Sequence, residues 1–140
     1  MRLLITTPAS VVLDETGVTA VRAEDESGGF GVLEGHADFL TVLTPSVVSW
    51  RGADERRRYC AVRRGVLTVS RAGGVAVATR EAILGDDLDQ LEGIVRTRFH
   101  EAAEAERVAR TESLQLQMKA MRRIVRYLRP GRRSAYGAAS

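Results

Sequence analysis

The chain has 140 residues, 44% hydrophobic and 28% charged, with 21 Lys and Arg against 18 Asp and Glu for a formal charge of +3. That balance is ordinary for a folded domain and excludes wholesale disorder. One cysteine, Cys60, excludes an internal disulfide and, with only two distant histidines, a Cys/His zinc site; no apolar run approaches the ~18 residues of a membrane-spanning helix.

In chain order, residues 1–85 read as β structure. Ten of the thirteen glycines and two of the three prolines fall there, punctuating short runs rich in Val, Thr and Ala. The opening Met1-Arg2-Leu3-Leu4-Ile5 is too short an apolar block for a secretory signal. Strands are predicted at Leu3–Thr7, Val18–Glu24, Phe39–Leu43, Val47–Trp50, Arg58–Arg63, Gly65–Ser70 and Val75–Thr79. Cys60 and Val62 share one face, as do Leu67 and Val69, and Val75 and Val77. Gly73-Gly74 supplies the positive φ of a tight hairpin, and Asp54-Glu55 after Gly52 marks another turn. Short strands at close spacing without intervening helices predict a sandwich or flattened barrel.

Residues 86–130 read as helix, with Pro130-Gly131 as the stop and 131–140 as a basic tail. Asp86, Asp87 and Asp89 open it, where carboxylates favour the exposed N–H groups and the helix dipole. Leu88, Leu91 and Val95 form one apolar stripe, continued weakly by Ala102, Ala105 and Ala109. Met118, Met121, Val125 and Leu128 form a second stripe out of phase with the first. The slip predicts a hinge or turn near Thr111–Gln117. The fold class is therefore α+β in the order β then α, an antiparallel sandwich followed by a helical hairpin or an extended helical arm.

Charge is uneven. Residues 1–85 are neutral, with ten Arg and ten acids; residues 86–118 carry four Arg and eight acids; residues 119–140 carry Lys119 and six Arg without an acid. Lys119, Arg122, Arg123, Arg126 and Arg129 occupy a helical arc away from Met121, Val125 and Leu128, so the end of the chain predicts an amphipathic basic helix for an acidic partner. A nucleic-acid partner is the alternative, with only Tyr127 and Tyr136 available for base stacking.

No catalytic constellation stands out. Gly28-Gly29-Phe30-Gly31 lacks the Gly-Lys-Ser/Thr ending of a phosphate loop and reads as a tight turn. His36 has only Glu34 and Asp38 near it and no nucleophile, which fits a structural or interfacial histidine better than a base. His100 reads as helix surface, Cys60 as core, and the aspartates at 86–89 as caps rather than metal ligands.

The segment from Gly29 to Thr41, Gly-Phe-Gly-Val-Leu-Glu-Gly-His-Ala-Asp-Phe-Leu-Thr, resembles the signature of the epsilon subunit of F-type ATP synthases. Arg64-Gly65-Val66-Leu67-Thr68-Val69, Val75-Ala76-Val77-Ala78, Ala82-Ile83 and Asp87-Leu88-Asp89 follow in the family's order. His36-Ala37-Asp38-Phe39, Val48-Ser49-Trp50-Arg51, Cys60-Ala61-Val62 and Arg126-Tyr127-Leu128-Arg129-Pro130 are similar to the N-type branch of bacterial ATPases. The resemblance implies a ten-stranded sandwich in the central stalk, between the gamma subunit and the c-ring. It would be a non-catalytic rotor subunit at the cytoplasmic face of a bacterial membrane, meeting the membrane and the nucleic acids of the cell through no surface of its own. It implies that Phe30, His36 and Thr41 face gamma or the ring. In relatives the helical part can rise along gamma towards the alpha/beta hexamer and restrain ATP hydrolysis, and the charge of residues 119–140 predicts that Arg122, Arg123, Arg126 and Arg129 carry that role here. The chain departs from the family in Glu34 and Asp38, where many members carry Pro, and in Arg64, where a second Gly is usual. Where some relatives bind ATP through Ile/Leu-Asp-x-x-Arg-Ala, Leu88-Asp89-Gln90-Leu91-Glu92-Gly93 stands here. Glu92 would repel the phosphates, so no nucleotide or other cofactor is expected.

Overall fold

The structure, a computed structural model, describes residues 1–128; Arg129 and the basic tail predicted at 131–140 lie outside the described residues. Ten strands come first: β1 Leu3–Thr6, β2 Val11–Glu15, β3 Ala20–Asp25, β4 Gly28–Leu33, β5 Phe39–Leu43, β6 Ser46–Arg51, β7 Arg57–Val62, β8 Gly65–Ser70, β9 Gly74–Thr79 and β10 Ala82–Gly85. They pair in the order β10-β7-β6-β3-β5-β8-β9-β1-β2, with β4 also on β3. β3 and β5 touch through one rung, Asp25↔Leu43, so the sheet folds there into two layers. The pairings are antiparallel except β1 with β9, which run parallel.

The layers meet over Leu3, Ile5, Val21, Val32, Leu43, Val48, Trp50, Cys60, Val62, Leu67, Val69, Val75 and Val77, all buried. The predicted pairs Cys60/Val62, Leu67/Val69 and Val75/Val77 all face this core. At Gly65 a Cβ would sit 2.2 Å from the Ala78 carbonyl oxygen, and at Gly74, with φ +91°, 2.3 Å from that of Arg2. Both glycines let neighbouring backbones touch. The Asp54-Glu55 turn is present, with Glu55 at φ 67°.

Two expectations need correction. The glycine run 28–31 is a strand rather than a turn. Its backbone pairs Asp25↔Gly28, Glu24↔Gly29, Ala23↔Phe30 and Arg22↔Gly31, and the turn lies just before it. Nor does the helix break at 111–117: α2 runs unbroken from His100 to Leu128. The irregularity lies earlier, where a π-helical turn, Val95–Phe99, follows α1 (Leu88–Ile94). Leu91, Val95 and Phe99 are spaced by four. An α-helix at 3.6 residues per turn would carry the third around the axis, and the wider turn keeps all three on one line. The Thr97 hydroxyl donates to the Gly93 carbonyl oxygen (2.8 Å) inside this stretch. Asp87 is the N-cap, accepting from the N–H groups of Asp89 and Gln90 at 3.0 and 3.3 Å.

Leu91, Val95 and Phe99 are buried with Ala61 against Val47, Tyr59, Ile83 and Ile94, which covers the outer face of β6, β7 and β10. Arg98 donates to Glu81 (2.8 Å) on the turn before β10. This docked helix and the strands form one compact unit, Met1–Ala103; a second begins at Glu104.

Candidate functional site

The two layers differ in what covers them. The outer face of β6, β7 and β10 is closed by the chain's own helix. On the other layer, inward side chains fill the core and outward ones form two registered rows. One row is Leu40, Thr68, Ala76 and Leu4; the other is Val42, Val66, Ala78 and Thr6. Leu40 is 65% exposed, Val42 49% and Val66 39%, and neither row meets a charge before β2, where Asp14 stands opposite Leu4. Single exposed apolar residues are common, but contiguous ones on a sheet face mark a candidate interaction surface.

The predicted interface residues gather at one edge of this layer. His36 is exposed in the loop between β4 and β5. Its N–H donates to the Leu33 carbonyl oxygen (3.1 Å), and Nδ1 lies 2.7 Å from the Ala37 carbonyl oxygen. Its ring tilts over Phe39 at 6.0 Å. The histidine therefore has neighbours within the chain, which the sequence did not indicate. Phe30 is half-buried and meets Phe39 edge-on at 5.6 Å, closing the gap between β4 and β5. Thr41 is half-buried and its hydroxyl donates to Asp25 (2.7 Å). Donation from the Ser27 hydroxyl and then from Thr41 holds the Asp25 carboxyl below its ordinary range. Phe30 and Thr41 thus brace the edge, and His36 and Phe39 reach its surface.

Sequence reasoning missed Leu40, Val42, Val66, Ala76 and Ala78. The signal was present: Phe39-Leu40-Thr41-Val42-Leu43 is apolar on both parities, which a half-buried strand does not need.

Among the described residues no group of three or more His, Cys, Asp and Glu could hold a metal ion. Cys60 is buried, and that burial pushes its thiol up to about 11, so it is no nucleophile. A cleft of about 390 Å³ between β3, β6 and the docked helix is lined by Arg22, Glu24, Glu92 and Arg96 among others. Side chains of both charges line it. In the second unit no residue of α2 is buried. Leu114, Met118, Met121, Val125 and Leu128, at steps of four and three, form an exposed stripe. Arg122, Arg123 and Arg126 lie on the arc beside it.

A two-layer sandwich with one face closed by its own helix and the other open defines a protein-binding module. The family described as ATP synthase, Delta/Epsilon chain, beta-sandwich domain matches residues 1–85. The chain is 49% identical over 135 residues to the ATP synthase epsilon chain 2 of Paraburkholderia xenovorans, covering 96% of this chain and 97% of the relative. It is 42% identical over 128 residues to the protein of that name from Cereibacter sphaeroides, covering 91% and 88%. A subunit in the Euglena gracilis mitochondrial ATP synthase OSCP/F1/c-ring structure has a similar fold. It is 23% identical with a TM-score of 0.57, over 79% of this chain and 64%, just under two thirds, of that one. The chain belongs to the ATP synthase epsilon chain family. These relatives lend no support to the nucleic-acid reading of the basic end, and no described helix is long and apolar enough to cross a membrane.

Proposed function

We propose that the chain is a non-catalytic rotor subunit of an F-type ATP synthase at the cytoplasmic face of a bacterial cell membrane. Its β domain docks on the gamma subunit and on the polar loops of the c-ring. The observation that carries this reading is the open apolar face of β5, β8, β9 and β1, with the exposed His36 loop at one end of it. Covering Leu40, Val42 and Val66 removes apolar area from water at about 25 cal/mol per Å². A carboxylate placed there would be buried without a partner. Leu40→Asp and Val42→Asp should therefore abolish retention on the cognate complex while leaving the melting temperature of the free chain nearly unchanged. Retention of both variants at the wild-type level would overturn the reading.

The stripe from Leu114 to Leu128 supports a regulatory role for the helix. Its apolar side docks on gamma, and Arg122, Arg123 and Arg126, with Arg129, face acidic loops of the alpha/beta hexamer and restrain ATP hydrolysis. Each exposed pair contributes only about 0–1 kcal/mol, so the effect is collective and salt-sensitive. Replacing all four by Gln should raise ATP hydrolysis by the assembled complex and reduce its response to salt. An assembled variant with wild-type hydrolysis and salt response would reduce the arginines to solvation.

A further inference from the structure

We infer that Asp38 is a positioning residue that staples the His36 loop to the β8–β9 turn, so that both reach the partner as one preformed edge. The inference rests on the docking face proposed above. Asp38 immediately precedes β5, and Arg71 immediately follows β8. The β5–β8 ladder ends at Phe39↔Val69. Beyond that rung the Arg71 N–H donates to Asp38 Oδ1 at 2.9 Å, so a side chain extends the ladder where the backbone register stops. Among the described residues this is the hydrogen bond that joins the loop to the turn.

What the staple holds is the exposed rim. The loop is closed by the Leu33–His36 turn, with Gly35 at φ +86°, and the His36 ring leans on Phe39, which leans on Phe30. Leu33 to His36 on one side and Ser70 to Gly74 on the other wall a single cleft of about 310 Å³. The ladder already holds Phe39 to Val69; with the bond in place, Asp38 and Arg71 beyond that rung are fixed relative to each other as well. Without it, the loop and the turn must be ordered when the partner arrives, and ordering mobile loops at an interface costs affinity.

Asparagine keeps an acceptor oxygen at this position and alanine does not, so the pair separates the staple from the charge. The full chain should be compared as wild type, Asp38→Ala, Asp38→Asn and Leu40→Asp. Two readouts are needed: hydrogen exchange of the Arg71 amide in the free chain, and affinity for the cognate complex depleted of this subunit. Asp38→Ala should speed exchange at Arg71 about tenfold and weaken binding about five- to tenfold, while Asp38→Asn stays within about twofold of wild type in both. If Leu40→Asp abolishes binding but Asp38→Ala binds as wild type, the docking face stands and the staple is overturned. If Asp38→Asn binds as weakly as Asp38→Ala, charge rather than the hydrogen bond is responsible, and the inference again fails. If neither Leu40→Asp nor Asp38→Ala alters binding, the docking reading itself is wrong and the staple falls with it.

Discussion

Phe99 is fully buried at the end of the docked helix, in a cluster with Ala61, Leu91 and Val95 against Val47, Tyr59, Ile83 and Ile94. Truncating such a ring costs about 3–5 kcal/mol, from lost transfer energy and from the cavity left behind. Phe99 sits where the compact unit ends, so part of the helix can settle into the gap, and Phe99→Ala should cost about 3 kcal/mol. For a unit of this size that lowers the melting temperature by more than about 10 °C. Urea unfolding followed through Trp50, which is buried in the sandwich core, reads the loss. Met121, 65% exposed on α2, is the control, and Met121→Ala should stay within about 0.5 kcal/mol. A change below about 1 kcal/mol for Phe99→Ala would refute the packing of this ring in the cluster.

Asp25 is held below the ordinary carboxylate range by Ser27 and Thr41, so its stabilisation is present above that range and lost as pH falls through the depressed value. Thr41→Val should move the Asp25 carboxyl back up in an NMR titration, and the stability gap between variant and wild type should close in acid; an unmoved titration contradicts the bond. Cys60, pushed up to about 11 by burial, should resist a thiol reagent at pH 8, where only about one thiol in a thousand is ionised. Labelling of the native chain within minutes would contradict its place in the core.

The sandwich was legible wherever burial alternates, as at Cys60 and Val62 on β7 and Val75 and Val77 on β9. The Asp87 cap was legible too, because carboxylates cluster just before the apolar stripe. The missed strands have physical reasons. β4 has glycines at 28, 29 and 31 and so too few side chains to alternate; β10 is four residues long; β2 ends in Asp14 and Glu15. Phe99 was missed because the stripe was carried from Val95 on to Ala102, although Phe99 stands at the i+8 position that a broad apolar helix face includes, and the π turn brings it closer to the Leu91–Val95 line. At the edge, the motif pointed to Phe30, His36 and Thr41, and could not show that the Thr41 hydroxyl also donates to Asp25. The open face was hidden because a strand with apolar residues on both sides looks the same whether its second side is covered by the chain itself or left bare.

The docking of the open face is tested most directly by a photo-crosslinking residue at Val42, exposed on the β5 side of that face, in the chain reassembled with its cognate complex. A second such residue at Glu92, exposed on the docked helix of the opposite layer, serves as the reference. Position 42 should capture the gamma subunit on illumination, and position 92 should capture it far less. Capture of gamma from Glu92 with none from Val42 would put the partner on the wrong side of the sandwich and contradict the account.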